Sequence, residues 1–147
     1  AAKERLYRQL MRDHLENQLV PGVRSFLQQA SSAPIGLASN AERLNIDLVL
    51  DGARLRPYFR AIVDGSQVQH PKPAPDVYLR AAHELGVAPH NCIVFKDSPV
   101  GVQAARDAGA RVVGLLTQEH SLNHVDLAVP DFLDPRLYHW LPEQAAR

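Results

Sequence analysis

The sequence is poor in several features that would mark other classes of protein. Its 147 residues include one cysteine, and its 16 basic and 16 acidic side chains leave no net charge. A single cysteine cannot form an intrachain disulfide, and Cys92 lies in an apolar run where a buried thiol is usual, so we expect a reducing, cytoplasmic location. Without an excess of positive charge, the chain is not expected to bind nucleic acid.

Long apolar runs are absent too. No stretch approaches the roughly 20 residues that span a bilayer, and the N-terminal residues lack the pattern of a signal peptide, so we expect neither a membrane protein nor a secreted one. With 46% hydrophobic and 22% charged residues, the chain instead has the composition of one soluble domain with a sizeable core.

What is present is an alternation of short apolar runs with amphipathic segments. Strands are predicted at residues 34–38, 61–63, 92–95, 111–115 and 125–129. Helices are predicted over residues 2–19, 23–30, 41–50, 75–85 and 99–108, with a turn at residues 51–52. This order predicts an α/β fold whose mostly parallel sheet is covered by helices on both faces.

The loops that follow the strands are the candidate ligand sites, because the carboxyl ends of parallel strands meet at one edge of the sheet. Ser39 and Asn40 follow the first predicted strand. There a hydroxyl, an amide and the free backbone N–H groups of a helix start could bind an anion. The alternative is that the two residues only cap the helix.

Lys72 lies between two prolines in the loop that follows the second predicted strand. The prolines restrict the backbone on both sides, so a long cationic side chain is presented from a stiff support. The alternative is a proline-rich surface turn before a helix.

Asp97 comes just after the strand predicted at residues 92–95, where a carboxylate could bind a hard cation such as Mg²⁺. Because Ser98 and Pro99 already form a helix-start signal, Asp97 is not needed as a cap, and the alternative is a surface turn. A hydroxyl, a lysine and a cation-binding carboxylate together suit phosphoryl transfer, whose catalysis is mostly charge neutralisation and positioning.

These residues also carry a resemblance to a known family. Residues 37–40 (LASN), 72–78 (KPAPDVY) and 94–101 (VFKDSPVG) resemble, in this order, the second, third and fourth motifs of the haloacid dehalogenase superfamily, in its phosphoglycolate phosphatase and β-phosphoglucomutase-like branch. The resemblance implies a three-layer Rossmann-like core with a mostly parallel sheet over residues 21–147. Residues 1–20 would be the last helix of a helical cap and its return linker.

The resemblance implies an activity and a role for each site residue. The protein would be a phosphatase or phosphomutase that acts on a small phosphorylated metabolite through an aspartyl-phosphate, with Mg²⁺ as cofactor. Ser39 and Lys72 would be catalytic, with Ser39 holding the transferring phosphoryl group and Lys72 neutralising nucleophile and phosphate. Asn40 would join them in binding phosphate, and Asp97 would bind the metal.

The sequence departs from the family pattern at the first motif, an apolar strand ending in D-x-D-G that supplies the nucleophile. Residues 48–55 (LVLDGARL) contain Asp-Gly, but Val49 stands where the nucleophile belongs. We therefore expect the nucleophile from a complementing N-terminal segment or chain, and no activity from this chain alone. The absent strand would lie between those predicted at residues 34–38 and 92–95 and would leave each with an unpaired edge.

A second departure is Lys96, where this branch commonly has Glu or Gly. A positive charge beside Asp97 is expected to weaken Mg²⁺ binding. Two alternatives remain open. One is a noncatalytic binding or interaction module, and the other is a metal-free dehalogenase-type hydrolase, which would share the Ser-Asn and Lys positions but have less use for Asp97.

Overall fold

The computed structural model of the protein describes residues 19–145. The helix predicted over residues 2–19, and with it the predicted cap segment, therefore lies almost wholly outside the described residues. The described helices are α1 (Val23–Gln29), α2 (Arg43–Gly52), α3 (Asp76–Leu85), α4 (Pro99–Asp107) and α5 (Pro135–Ala145). The described strands are β1 (Gly36–Ala38), β2 (Ala61–Val63), β3 (Ile93–Lys96), β4 (Arg111–Leu115) and β5 (Leu127–Val129).

The predicted alternation of strands and helices is confirmed, and β2 and β4 have the predicted bounds. The turn predicted at residues 51–52 is wrong, because both residues belong to the last turn of α2. The helix closes later, where the Leu55 N–H donates to the Leu50 carbonyl at 2.8 Å and the Arg54 N–H to the Asp51 carbonyl at 3.3 Å. This is the Schellman arrangement, with Arg54 (φ 57°) as the left-handed residue in place of a glycine.

Helix α5 has no counterpart in the sequence-based prediction. It follows Asp134, whose carboxylate accepts a hydrogen bond from the Arg136 N–H at 2.9 Å, and its first residue is Pro135. Proline is favoured at the first helical position, where its missing N–H has no intrahelical partner to lose. Leu137 is fully buried and anchors α5 beneath β4 and β5.

All strand pairs are parallel, as predicted, but within residues 19–145 they form two sheets rather than one. In the first, Leu37 of β1 lies opposite Ile62 of β2. In the second, β4 lies between β3 and β5, with Val113 opposite Phe95. In the described part of the chain, β1 and β3 thus each pair on one side only, which agrees with the expectation of two unpaired edges.

Helices cover both faces of the sheets, because alternate strand residues point to opposite sides. Val94 and Val112 pack against Val102 of α4 on one face. Phe95 and Val113 pack on the other face against α1 and α5. This gives the three-layer α/β arrangement.

Two aromatic residues each pack against the cores of both sheets. Phe26 of α1 contacts the rings of Phe95 and Phe132, with centroids 5.0 and 4.8 Å apart, and also packs against the core cluster around Leu50. Tyr78 of α3 packs against the core beside β2 and also against the core beside β3 and β4. Among the described residues, no helix is both long enough and apolar enough to cross a membrane.

Candidate active site

A cavity of about 800 Å³ opens between the facing edges of β1 and β3. Its wall is mostly apolar and includes Leu37, Val94 and Phe95. Polar groups enter where the strands end, at Ser39 after β1 and at Lys96, the last residue of β3. The cavity therefore combines an apolar groove with a polar rim at the carboxyl ends of the strands, which is where ligands bind in open α/β sheets.

Ser39 and Asn40 do not cap α2, whose N-cap is Glu42. The Ser39 N–H donates to the Val63 carbonyl at 2.9 Å, which fixes the residue to the end of β2. Its hydroxyl accepts a hydrogen bond from the Ala41 N–H at 3.0 Å. The capping alternative is thus wrong for Ser39, which lines the cavity, whereas Asn40 is exposed beside it.

Lys72 is half-buried in a loop whose two ends, His70 and Asp76, are joined by a hydrogen bond. The Asp76 carboxylate accepts from the His70 N–H and lies near the His70 Nδ1, both at 3.1 Å, and the Lys72–Pro73 peptide bond is cis. The Lys72 ammonium lies 5.0 Å from the centroid of the Tyr78 ring. Burial, together with the nearby Lys96 charge, lowers the pKa of Lys72 to about 8. Lys72 is therefore half-buried within a proline-rich turn that leads into α3, whereas Pro71 and Pro73 on either side of it are exposed.

Asp97 lies between β3 and α4, and its carboxylate is also not a cap. Ser98 caps α4, as predicted, by accepting the Gly101 N–H at 3.2 Å. Asp97 Oδ2 accepts a hydrogen bond from the Thr117 hydroxyl at 3.3 Å. Asp97 Oδ1 lies 3.8 Å from the Lys96 ammonium.

Lys72, Lys96 and Asp97 form what we call the charged cluster. Lys96 pairs with Asp97 and shares a neighbour with Lys72, because Tyr78 lies beside the Lys72 ammonium and lines the same cavity as Lys96. The positive charge of Lys96 is one of the causes that lower the pKa of Lys72. Asp97 acts on Lys72 in the opposite direction and favours the charged ammonium. Ser39 lies on the same side of the molecule as this cluster, because Ser39, Lys96 and Tyr78 line one cavity.

The described residues do not by themselves suit Mg²⁺. This ion prefers several oxygen ligands in octahedral geometry. Among residues 19–145 there is no group of three His, Cys, Asp or Glu side chains that could hold a metal. Asp97 offers one carboxylate, and an ammonium group already stands beside it.

Three residues near the site were not singled out in the sequence. Tyr78 supports Lys72, and burial together with the Asp97 charge raises the pKa of its phenol. Thr117 follows β4 and reaches Asp97. Asp64 is buried at the end of β2, where Ser66 and Arg43 lower its pKa, but its carboxylate is used to cap a 3₁₀ turn. The position of each just after a strand, or one turn into a helix, was the available signal.

Comparison with known families decides what this arrangement is. The family model of haloacid dehalogenase-like hydrolases matches residues 2–109. The chain belongs to this hydrolase family. Each of the three segments that resembled its second, third and fourth motifs contributes residues to the cavity wall or to the charged cluster.

Individual members of the hydrolase family are similar over much of the chain. Protein CbbY from Rhodobacter capsulatus is 37% identical over 124 residues, which are 81% of this chain and 54% of CbbY. Phosphoglycolate phosphatase from Escherichia coli K12 is 32% identical over 114 residues, which are 78% of this chain and 45% of the enzyme. The chain thus spans about half the length of these curated relatives.

Among solved structures, β-phosphoglucomutase from Clostridium difficile superposes with a TM-score of 0.79 at 28% identity. The superposition covers 97% of this chain and 63% of that enzyme. This confirms the predicted fold class and the predicted branch of the family.

Proposed function

We propose that the protein of which this chain forms part is a phosphatase or phosphomutase that acts on a small phosphorylated metabolite. The observation that carries the proposal is the meeting of Lys72, Lys96 and Asp97 beside a cavity that Ser39 also lines. Relatives named as a phosphoglycolate phosphatase and a fructose-1-phosphate phosphatase support the same substrate class. A cytoplasmic location remains part of the proposal.

In this proposal each side chain acts on charge or position. Lys72 binds and neutralises the phosphate, because its ammonium is held in place by the Tyr78 ring and lies at the end of the sheet. The Ser39 hydroxyl, fixed beside β2, donates to a phosphate oxygen, and Asn40 contacts the same group. Such preorganised donors stabilise the charge that develops during transfer more effectively than mobile ones.

The nucleophile comes from outside the described residues. We propose that an apolar strand ending in D-x-D-G inserts between β1 and β3, parallel to both, and brings its aspartate to the charged cluster. Within residues 19–145, the facing sides of β1 and β3 have no strand partner, and an apolar cavity of about 800 Å³ lies between them, which provides the groove for such a strand. The greater length of the relatives is consistent with a longer whole protein.

Mg²⁺ belongs to the proposal only as a cofactor of the complete protein. Asp97 is the carboxylate that the described residues would contribute. Further ligands would have to come from the segment that supplies the nucleophile.

The proposal is tested by titrating the complete protein with BeF₃⁻, which mimics a phosphoryl group on an aspartate. A phosphatase that forms an aspartyl-phosphate binds BeF₃⁻ saturably, and substitution of Lys72 by Ala weakens the binding. A noncatalytic module with the same core shows no such binding. A dehalogenase-type hydrolase is distinguished by activity on a haloacid that is unchanged by EDTA and by the substitution Asp97→Ala.

A further inference from the structure

The proposed function assigns no role to the positive charge of Lys96. The whole chain has three lysines, Lys3, Lys72 and Lys96. Two of them lie near each other beside Tyr78, since the Lys72 ammonium is 5.0 Å from the centroid of its ring and Lys96 lines the same cavity as Tyr78. Two ammonium groups at close range repel each other, and the repulsion is relieved when an anion lies between them. The placement of two lysine ammonium groups near each other is therefore unfavourable unless an anion binds between them.

The side chain of Lys96 is held by the start of α4. Its aliphatic carbons lie directly over Gly101, where a Cβ would be 2.5 Å from Lys96 Cε and 2.8 Å from Cδ. A residue larger than glycine at this position would displace the lysine. Gly101 thus gives Lys96 a defined path to the charged cluster, and only 31% of its side chain is exposed.

Asp97 orients the Lys96 ammonium without consuming its hydrogen bonds. The separation of 3.8 Å between Lys96 Nζ and Asp97 Oδ1 is an ion-pair distance but too long for a hydrogen bond. The donors of the ammonium therefore remain available to another acceptor. A phosphate dianion is such an acceptor and forms short, charge-assisted hydrogen bonds with ammonium groups.

We propose that Lys72 and Lys96 form a two-lysine subsite for the phosphate group, in which Lys96 supplies positive charge without a metal. The inference rests on the proposed function, because it takes Lys72 as a phosphate ligand. It also accounts for the poor fit to Mg²⁺, since a metal would have to compete with Lys96 for Asp97. Phosphate binding by this site should therefore not depend on added Mg²⁺.

The experiment is a titration of the full chain with inorganic phosphate at constant ionic strength, in EDTA and then in Mg²⁺. The chain is labelled with ¹³C at the lysine ε carbons, so that three lysine signals report the binding and the variants Lys72→Gln and Lys96→Gln assign them. We expect the signals of Lys72 and Lys96 to move along one saturation curve. The Kd should agree within about twofold between the two buffers, since the bound charge is the same.

Matched variants separate charge from position. Lys96→Gln should weaken phosphate binding about tenfold, which is the usual order for one charge-assisted hydrogen bond. Lys96→Arg should retain most of it. Gly101→Ala keeps every charge but displaces the lysine, so it should weaken binding while the helix stays folded, because alanine favours helices. Arg60→Gln removes a charge at the amino end of β2, opposite the carboxyl ends of the strands where the site lies, and should leave phosphate binding unchanged.

The inference is overturned if Lys96→Gln binds phosphate as tightly as the native chain, or if the native chain binds phosphate only in Mg²⁺. These failures are distinguishable from failure of the proposed function. If Lys72→Gln loses binding and Lys96→Gln does not, only the role of Lys96 is wrong. If neither variant loses binding, the site itself is not where phosphate binds.

Discussion

The Lys72 ammonium lies 5.0 Å from the centroid of the Tyr78 ring. Tyr78 also packs against the hydrophobic cores of both sheets. A cation over an aromatic face is attracted by the negative charge of the ring face, and this compensates for part of the water that Lys72 loses on burial. Tyr78 therefore acts as a positioning residue for Lys72 and ties the site to the fold.

This relationship predicts different outcomes for two substitutions of Tyr78. Tyr78→Leu removes the aromatic face and should weaken phosphate binding several-fold, since cation–π contacts contribute about 0.5–2 kcal/mol. Tyr78→Phe keeps the ring and should bind within about twofold of the native chain. Calorimetric titration with inorganic phosphate measures both, and equal affinity of the two variants would contradict the positioning role.

Burial of Lys72 predicts a stability effect that depends on pH. Its pKa falls from the usual 10.5 to about 8 because of burial first and the Lys96 charge second. Between these values the folded chain binds fewer protons than the unfolded chain, so the Lys72 contribution to stability rises with pH across this window and is least favourable below pH 8. Lys72→Met should therefore raise the Tm at pH 7.

The Tm gain of Lys72→Met should shrink as the pH approaches 10, where the native lysine is neutral in the folded chain. Thermal unfolding at pH 7 and pH 10 measures this difference. The matched control Arg60→Met, at an exposed position, should show no such trend. A lower Tm for Lys72→Met at pH 7 would show that the buried ammonium is stabilising, contrary to the expectation.

The aromatic contact of α1 predicts a large cost for one substitution. Phe26→Ala removes the ring that packs on Phe95 and Phe132, and should lower the free energy of unfolding by roughly 3 kcal/mol. Ser25→Ala, at an exposed neighbouring position, should change it by less than about 0.5 kcal/mol. Urea unfolding measures both, and a loss below about 1 kcal/mol for Phe26→Ala would show that α1 does not hold the sheets together.

The groove between β1 and β3 predicts complementation by a strand. A synthetic peptide with an apolar strand that ends in D-x-D-G, added to this chain, should bind, raise its Tm and produce phosphatase activity. The same peptide with Asp→Asn at the nucleophile should bind without activity, and a scrambled peptide should do neither. A peptide that binds without changing the NMR signals of the cavity residues Leu37 and Val94 would contradict insertion between the strands.

The sequence was sufficient to predict the order of helices and strands from α1 to β5 and the charged loops after the strands, because the spacing of apolar residues and the position of a loop after a strand are local signals. The sequence was insufficient where contacts between residues far apart in the chain determine where a helix begins or ends. Arg54, not Gly52, adopts the left-handed conformation that ends α2. Helix α5 was missed although Asp134 and Pro135 form a helix start and Leu137, Tyr138 and Leu141 recur at helical spacing. Pro142 lies inside this helix, and a proline at such a position usually ends a helix.

The candidate site shows the same division. Lys72 and Asp97 could be selected from their positions after strands. The meeting of Lys72 with Lys96, and the support of Lys96 by Gly101, depend on how β3, α4 and the proline-rich loop pack together. No spacing in the sequence records that Lys96 is directed over a glycine one turn into the next helix.

The most direct test of the account is hydrolysis of small phosphomonoesters by the complete protein and its variants. We expect Lys72→Ala and Asp97→Ala each to lower kcat/KM by at least about a hundredfold, since both act on the charge of the transferring group. Arg60→Ala, at the opposite edge of the sheet, should retain the native rate. Full activity in both Lys72→Ala and Asp97→Ala would contradict a phosphoryl-transfer site at the charged cluster.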